Sequence, residues 1–182
     1  MSLRPAIFLD RDGTLNAQFI REGKPYPPQK IEDFKLLEGV AAACRDLKKA
    51  GFLLVVVTNQ PDVGRRTQVQ EVVEAMHAKL KNLLPEIDHI EVCCDAGYGK
   101  VNRRRKPEPG MLEDAAALLE IDVPSSWMIG DRWRDIDCGK KMGVKTIFID
   151  YGYDEQLRAE PNFKVTTFSE AAAIVLKSQS AL

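Results

Sequence analysis

Asp10, Asp12, Thr58, Lys106 and Asp131 are the side chains whose types could act together, and each sits in a similar local setting. Asp10-Arg11-Asp12-Gly13-Thr14 follows the apolar run Ile7-Phe8-Leu9, and Thr58-Asn59-Gln60 follows Val55-Val56-Val57. Arg103-Arg104-Arg105-Lys106-Pro107 closes a loop, and Gly130-Asp131, with Asp135 four residues on, follows Met128-Ile129. Two carboxylates spaced i, i+2 at the end of a buried strand are costly unless positive charge neutralises them. A hydrated Mg²⁺ suits oxygen-only ligands that leave room for a phosphate. A carboxylate can attack phosphorus and split hydrolysis into two steps through an aspartyl-phosphate. A second carboxylate nearby can protonate the leaving oxygen and later deprotonate water. The transferring phosphoryl spreads negative charge over its oxygens, so Mg²⁺, a lysine and a hydroxyl donor would stabilise it.

The elements that must position these groups are legible as five apolar runs: Ala6 to Leu9, Phe52 to Val57, Ile87 to Cys94, Trp127 to Ile129 and Lys145 to Ile149. They are continuous rather than alternating, as expected for strands covered on both faces. Helical patterns separate them: Val40 to Ala50 with a stop at Gly51, Gln68 to Leu84, Pro109 to Leu119, Ile136 to Met142, and Ser169 to Leu176 with Ser169 as N-cap. Strand alternating with helix predicts an α/β chain, a doubly wound, mostly parallel sheet with helices on both faces, and residues 1–182 read as one domain. In such a sheet ligands bind beyond the carboxyl ends of the strands, where the polar residues above lie. Residues 16–38, rich in proline, form the longest nonperiodic connection, and such connections are often functional.

Composition narrows the class. The chain has 182 residues, 26 Lys+Arg against 27 Asp+Glu, 45% hydrophobic residues and four cysteines. A net charge of -1 argues against nonspecific binding of nucleic acid or membrane surfaces. The start lacks a secretory pattern and no apolar run is long enough to span a bilayer, so a cytoplasmic location is expected. Cys44, Cys93, Cys94 and Cys138 then read as reduced, mostly buried thiols.

The four segments resemble, in order, the four motifs of the haloacid dehalogenase superfamily, over nearly the whole chain. Their wording is most similar to the D-glycero-D-manno-heptose 1,7-bisphosphate phosphatases and the related histidinol-phosphate phosphatases; Arg105-Lys106-Pro107-Glu108-Pro109-Gly110-Met111 is like their third motif. The resemblance implies a Rossmann-like fold and a Mg²⁺-dependent phosphomonoesterase acting on a small phosphorylated metabolite. It makes Asp10 the nucleophile and a metal ligand, and Asp12 the acid/base, whose backbone carbonyl also binds metal. Thr58 and Lys106 would hold phosphoryl oxygens, Asp131 would complete the metal site, and Asn59, Gln60 and Arg105 would contact substrate. Asp135 would support the metal shell or Lys106. Those relatives commonly carry a zinc loop with a Cys-x-His pair and a later Cys-x-Cys. Here Cys93-Cys94-Asp95-Ala96-Gly97-Tyr98 offers no such set, so zinc is not expected.

The intervals from Asp10 to Thr58 and from Thr58 to Lys106 each hold little more than one helix and one strand. The site should therefore be capless and open, screened only by residues 16–38 and the loop at 95–105, and a monomer would suffice. An open site suits a substrate with a second phosphorylated end, which Arg65, Arg66, Arg103, Arg104 and Arg105 could reach. Trp133 and Tyr26 are read as packing or stacking residues, and His77 and His89 as ordinary surface or packing residues. Three alternatives remain beside a sugar bisphosphatase: a histidinol-phosphate phosphatase, a phosphoacceptor signalling domain, which Asp12 weighs against, and a nucleic-acid end phosphatase, which the charge balance weighs against.

Overall fold

Residues 6–9 are alternately committed to two apolar layers, and this sets the architecture. In the computed structural model, which describes residues 3–179, Ile7 and Leu9 enter one core cluster while Ala6 and Phe8 enter the other. The same alternation divides Leu54 and Val56 from Leu53, Val55 and Val57. A strand buried on both faces shows this arrangement because successive side chains point to opposite sides.

The strands are β1 (Ala6–Leu9), β2 (Phe19–Arg21), β3 (Lys24–Tyr26), β4 (Leu53–Asn59), β5 (His89–Cys93), β6 (Trp127–Gly130), β7 (Lys145–Ile149) and β8 (Phe163–Val165). The helices are α1 (Val40–Lys49), α2 (Pro61–Gly64), α3 (Gln70–Leu83), α4 (Gly110–Leu119), α5 (Trp133–Met142) and α6 (Phe168–Gln179). A six-stranded sheet runs β5-β4-β1-β6-β7-β8, and every pairing in it is parallel. Helices α1, α3 and α6 supply apolar side chains to one layer, and α4 and α5 to the other.

Strand β1 is the topological switch. From it the chain moves outward through β4 to β5, then returns to its other side through β6. The carboxyl ends of β1, β4 and β6 are therefore adjacent, and a crevice opens where the strand order reverses. Asp10, Thr58 and Asp131 stand at those three ends.

The structure adds elements that the sequence did not signal. β8 is only three residues long and its first two are exposed, so it carries little apolar pattern. Within 16–38 lies an antiparallel hairpin, β2 paired with β3, turning at Glu22 and Gly23 with φ of 50° and 70°. Two successive positive φ values match the twist of a tight hairpin, and Gly23 meets that demand without strain. The expected N-cap Ser169 is corrected: the last helix begins at Phe168, and Thr167 Oγ1 accepts from the Glu170 N–H at 3.2 Å. Phe168 is buried in the core, which draws the helix start back and leaves Ser169 inside the first turn. Among the described residues, no helix is long and apolar enough to cross a membrane.

Candidate active site

The end of β1 is fastened sideways before it turns: the Asp10 N–H donates to the Ile129 carbonyl of β6 at 3.0 Å. The chain then bends through Gly13 at φ 87°, where an added Cβ would lie 2.0 Å from Gln18 Nε2 and 2.2 Å from Asp131 Oδ2. Only glycine fits there, in conformation and in space.

Four buried charges converge at this turn. Lys106 Nζ donates to Asp10 Oδ1 at 2.7 Å and to Asp135 Oδ1 at 2.6 Å. Asp10, Asp131 and Asp135 each offer an oxygen within 4.8 Å of the others. Burial, the largest cause, pushes the Asp10 carboxyl up to about 6 even though the Lys106 charge pulls it down. Burial likewise holds Asp131 well above the ordinary carboxylate range, reinforced by the Asp10 and Asp135 charges. For Lys106, burial favours the neutral amine, but the two carboxylates more than offset it and keep the ammonium charged. One lysine thus faces three carboxylates. Asp131 Oδ2 accepts from Gln18 Nε2 at 2.6 Å, while its buried Oδ1 has no hydrogen-bond partner among the described residues. A buried carboxylate oxygen left without a donor is costly, and hard oxygen donors around it fit a small divalent cation such as Mg²⁺.

Asp12 is held apart from this cluster. Its oxygens accept from the Arg11 guanidinium at 3.1 and 2.9 Å, from Asn16 Nδ2 at 2.9 Å and from Gln60 Nε2 at 2.8 Å. Gln60 Nε2 also donates to Thr58 Oγ1 at 2.9 Å. With that lone pair occupied, the Thr58 hydroxyl proton is free to donate outward. Asn59 Nδ2 donates to the Lys106 carbonyl at 3.0 Å and Asn59 Oδ1 accepts from the Lys106 N–H at 3.1 Å. The end of β4 is thereby tied to the loop that carries the lysine.

Asp10, Asp12, Thr58, Asn59, Arg105 and Lys106 all line one cavity of about 350 Å³. Gln60, grouped with the substrate contacts from sequence, is buried and lies outside that lining; it positions Asp12 and Thr58 instead. Arg65 and Tyr26 line the cavity, and Arg66 does not. Arg103 and Arg104 face elsewhere: Arg103 pairs with Glu113 and Asp114, and Arg104 with Glu91 and Asp114. Trp133 is buried, with the guanidinium groups of Arg134 and Arg158 over its ring at 4.9 and 3.5 Å from the ring centre. The sequence reading missed Arg132 and Arg134, which line the cavity from the start of α5, and Gln18, which reaches Asp131. Their signal was position: both arginines lie between Asp131 and Asp135, just beyond a strand end. Arg132 is oriented by Glu155, which accepts from its Nε at 2.6 Å and Nη2 at 2.9 Å.

Known proteins are similar to this chain in sequence and in fold. A family model described as HAD-hydrolase-like matches residues 103–171. The chain is 38% identical over 154 residues to the D-glycero-beta-D-manno-heptose-1,7-bisphosphate 7-phosphatase of Escherichia coli K12, covering 78% of this chain and 76% of that protein. The enzyme of the same name from Haemophilus ducreyi is 37% identical, with 79% of this chain and 81% of that one covered. The D,D-heptose 1,7-bisphosphate phosphatase of B. bronchiseptica, solved with magnesium and phosphate, shares the fold at TM-score 0.79 and 23% identity, covering 96% of this chain and 99% of that one. That of Burkholderia thailandensis does so at TM-score 0.67 and 22% identity, with 95% and 99% covered.

Proposed function

This chain belongs to the haloacid dehalogenase superfamily of phosphatases, and on that premise we propose that it is a Mg²⁺-dependent sugar bisphosphatase working through an aspartyl-phosphate. The substrate class is that of its relatives, with D-glycero-D-manno-heptose 1,7-bisphosphate as the lead compound, and residues 1–182 act as one catalytic domain. The observation that supports the reading is that two carboxylates of one turn sit in separate hydrogen-bond networks: Asp10 is bound to Lys106, and Asp12 is held by Arg11, Asn16 and Gln60.

Asp10 attacks phosphorus, and the bond from phosphorus to the sugar oxygen breaks as Asp12 gives that oxygen its proton. Asp12, now a carboxylate, takes a proton from water. The water oxygen attacks the same phosphorus, the bond to Asp10 breaks, and inorganic phosphate leaves. Lys106 and the outward Thr58 hydroxyl donate to the phosphoryl oxygens in both steps, where negative charge is spread. An acid/base poised beside the acyl phosphate favours turnover over a long-lived phosphoprotein. Asp10, Asp131 and the Asp12 carbonyl would hold Mg²⁺, with Asp135 fixing Lys106 next to it. The ion would supply positive charge against the phosphoryl group and the carboxylates.

Arg65, Arg105, Arg132 and Arg134 line the same cavity. Several guanidinium groups suit a second phosphate and repel a cationic leaving group such as histidinol. Hydrolysis of a panel of sugar monophosphates, sugar bisphosphates and histidinol phosphate tests this. The sugar bisphosphate is expected to lead the monophosphate by at least about tenfold in kcat/KM, a difference of about 1.4 kcal/mol. Preference for histidinol phosphate, or activity that survives complete chelation, would contradict the proposal.

Mg²⁺ should also register in stability. The Asp10 carboxyl rises from 3.8 to about 6 on folding, so the metal-free protein loses stability as pH climbs through that range. Bound Mg²⁺ should offset that loss, because it favours the ionised carboxylates. The gain in Tm on adding Mg²⁺ is expected to be larger at about pH 7 than at about pH 5. An equal shift at both would argue against binding at this cluster.

A further inference from the structure

Arg11 is fully buried and is among the largest side chains so enclosed. Its Nη2 and Nε grip the Asp12 carboxylate, and its guanidinium lies over the Phe34 ring at 5.7 Å. Its remaining nitrogen, Nη1, meets His77 Nε2 at 3.0 Å. A guanidinium has no acceptor, so the imidazole accepts here and carries its proton on Nδ1. Burial first, and then the Arg11 charge, lower His77 to about 4, which keeps the ring neutral and that lone pair available. Arg11 is therefore pinned at both ends, by Asp12 in front and His77 behind. His77 lies on α3 and Asp12 just past β1, so the contact ties the acid/base to the helix layer.

We propose that His77 is a positioning residue for the Asp12 acid/base, acting through Arg11. The inference rests on the aspartyl-phosphate reading above and adds to it. Without an acceptor behind it, the guanidinium loses one of its two fixed ends and can swing out of the plane that holds Asp12. Small displacements of a catalytic group cost rate far more than they cost substrate binding. Loss of His77 should therefore appear in kcat, in the steps that use Asp12, with KM little changed.

The test compares His77→Leu, which removes the acceptor, with His77→Gln, whose amide oxygen can take the place of Nε2. p-Nitrophenyl phosphate and the heptose bisphosphate are assayed with saturating Mg²⁺. Nitrophenolate leaves without needing a proton, so only the second step of its hydrolysis depends on Asp12. His77→Leu is expected to lower kcat on the sugar bisphosphate at least about tenfold, with KM within about twofold. With p-nitrophenyl phosphate it should show a burst of nitrophenolate followed by a slowed steady state. His77→Gln is expected to recover kcat to within about threefold of the parent and abolish the burst. His77→Ile, which also lacks an acceptor, gives the same readout should His77→Leu not fold. Equal losses in the Leu and Gln variants, a change in KM alone, or full activity in the Leu variant would overturn the proposal. Asp10→Asn is run alongside. If it stays active, the aspartyl-phosphate reading fails; if it is inert while the His77 variants behave alike, only the role of His77 fails.

Discussion

Asp10→Asn is expected to lower kcat by at least about 10⁴-fold while leaving thermal stability equal to or above that of the parent. The loss is large because an amide oxygen is a poor nucleophile toward phosphorus, and no neighbouring carboxylate stands in its place. Asp131 and Asp135 are close, but Asp135 is held by Lys106 and by the Arg132 N–H at 3.0 Å. Asp12 is turned into its own network with Arg11, Asn16 and Gln60. The stability follows from burial. Asp10 sits at about 6 because the folded protein disfavours its charge, so a neutral side chain of the same shape removes a cost present at neutral pH. Activity measured with Mg²⁺ and a melting curve check the two halves together. A dead variant that is also unfolded would leave the nucleophile unassigned, whereas a folded, active one would refute the assignment.

Lys106→Met should reduce kcat by about 10²- to 10³-fold and destabilise the protein by about 3–5 kcal/mol at neutral pH. Among the described residues, the ammonium is the one cation bonded to both Asp10 and Asp135, and its side chain is 3% exposed. Removing it leaves largely buried carboxylates facing one another where little water can solvate them. Asp10, already raised on folding, should rise further. The sign then follows: the folded variant binds more protons than its unfolded chain, so its deficit grows as pH rises and shrinks on acidification. Denaturation at about pH 5 and about pH 7.5 checks this, and added Mg²⁺ should recover part of the deficit at the higher pH. A deficit independent of both pH and Mg²⁺ would mean that Lys106 serves packing alone.

The carboxyl ends of the strands were legible because their residues are local. A continuous apolar run followed at once by Asp-x-Asp, Thr-Asn-Gln or Gly-Asp fixes both the backbone position and the chemistry beyond it. The direction of a side chain was less legible, since partners distant in sequence set it. Arg103 and Arg104 look like part of a basic patch with Arg105, yet Glu113, Asp114 and Glu91 turn them away from the cavity. Gln60 is next to the cavity-lining Asn59 and instead donates to Asp12 and Thr58. His77 sits beside Met76 in an amphipathic pattern and reads as packing; only the fold brings Arg11 to it. The β2–β3 hairpin escaped notice because its strands are three residues each and mostly exposed.

The most direct test of the account is to find the phosphoryl group on the enzyme. The protein is mixed with p-nitrophenyl phosphate and Mg²⁺, quenched with acid during steady turnover, digested and mass-mapped. The expected result is a phosphoryl adduct on the peptide that carries Asp10, discharged by hydroxylamine as an acyl phosphate and absent from Asp10→Asn. Turnover without any adduct in an active Asp10→Asn variant, or an adduct on Thr58 or His77, would contradict it.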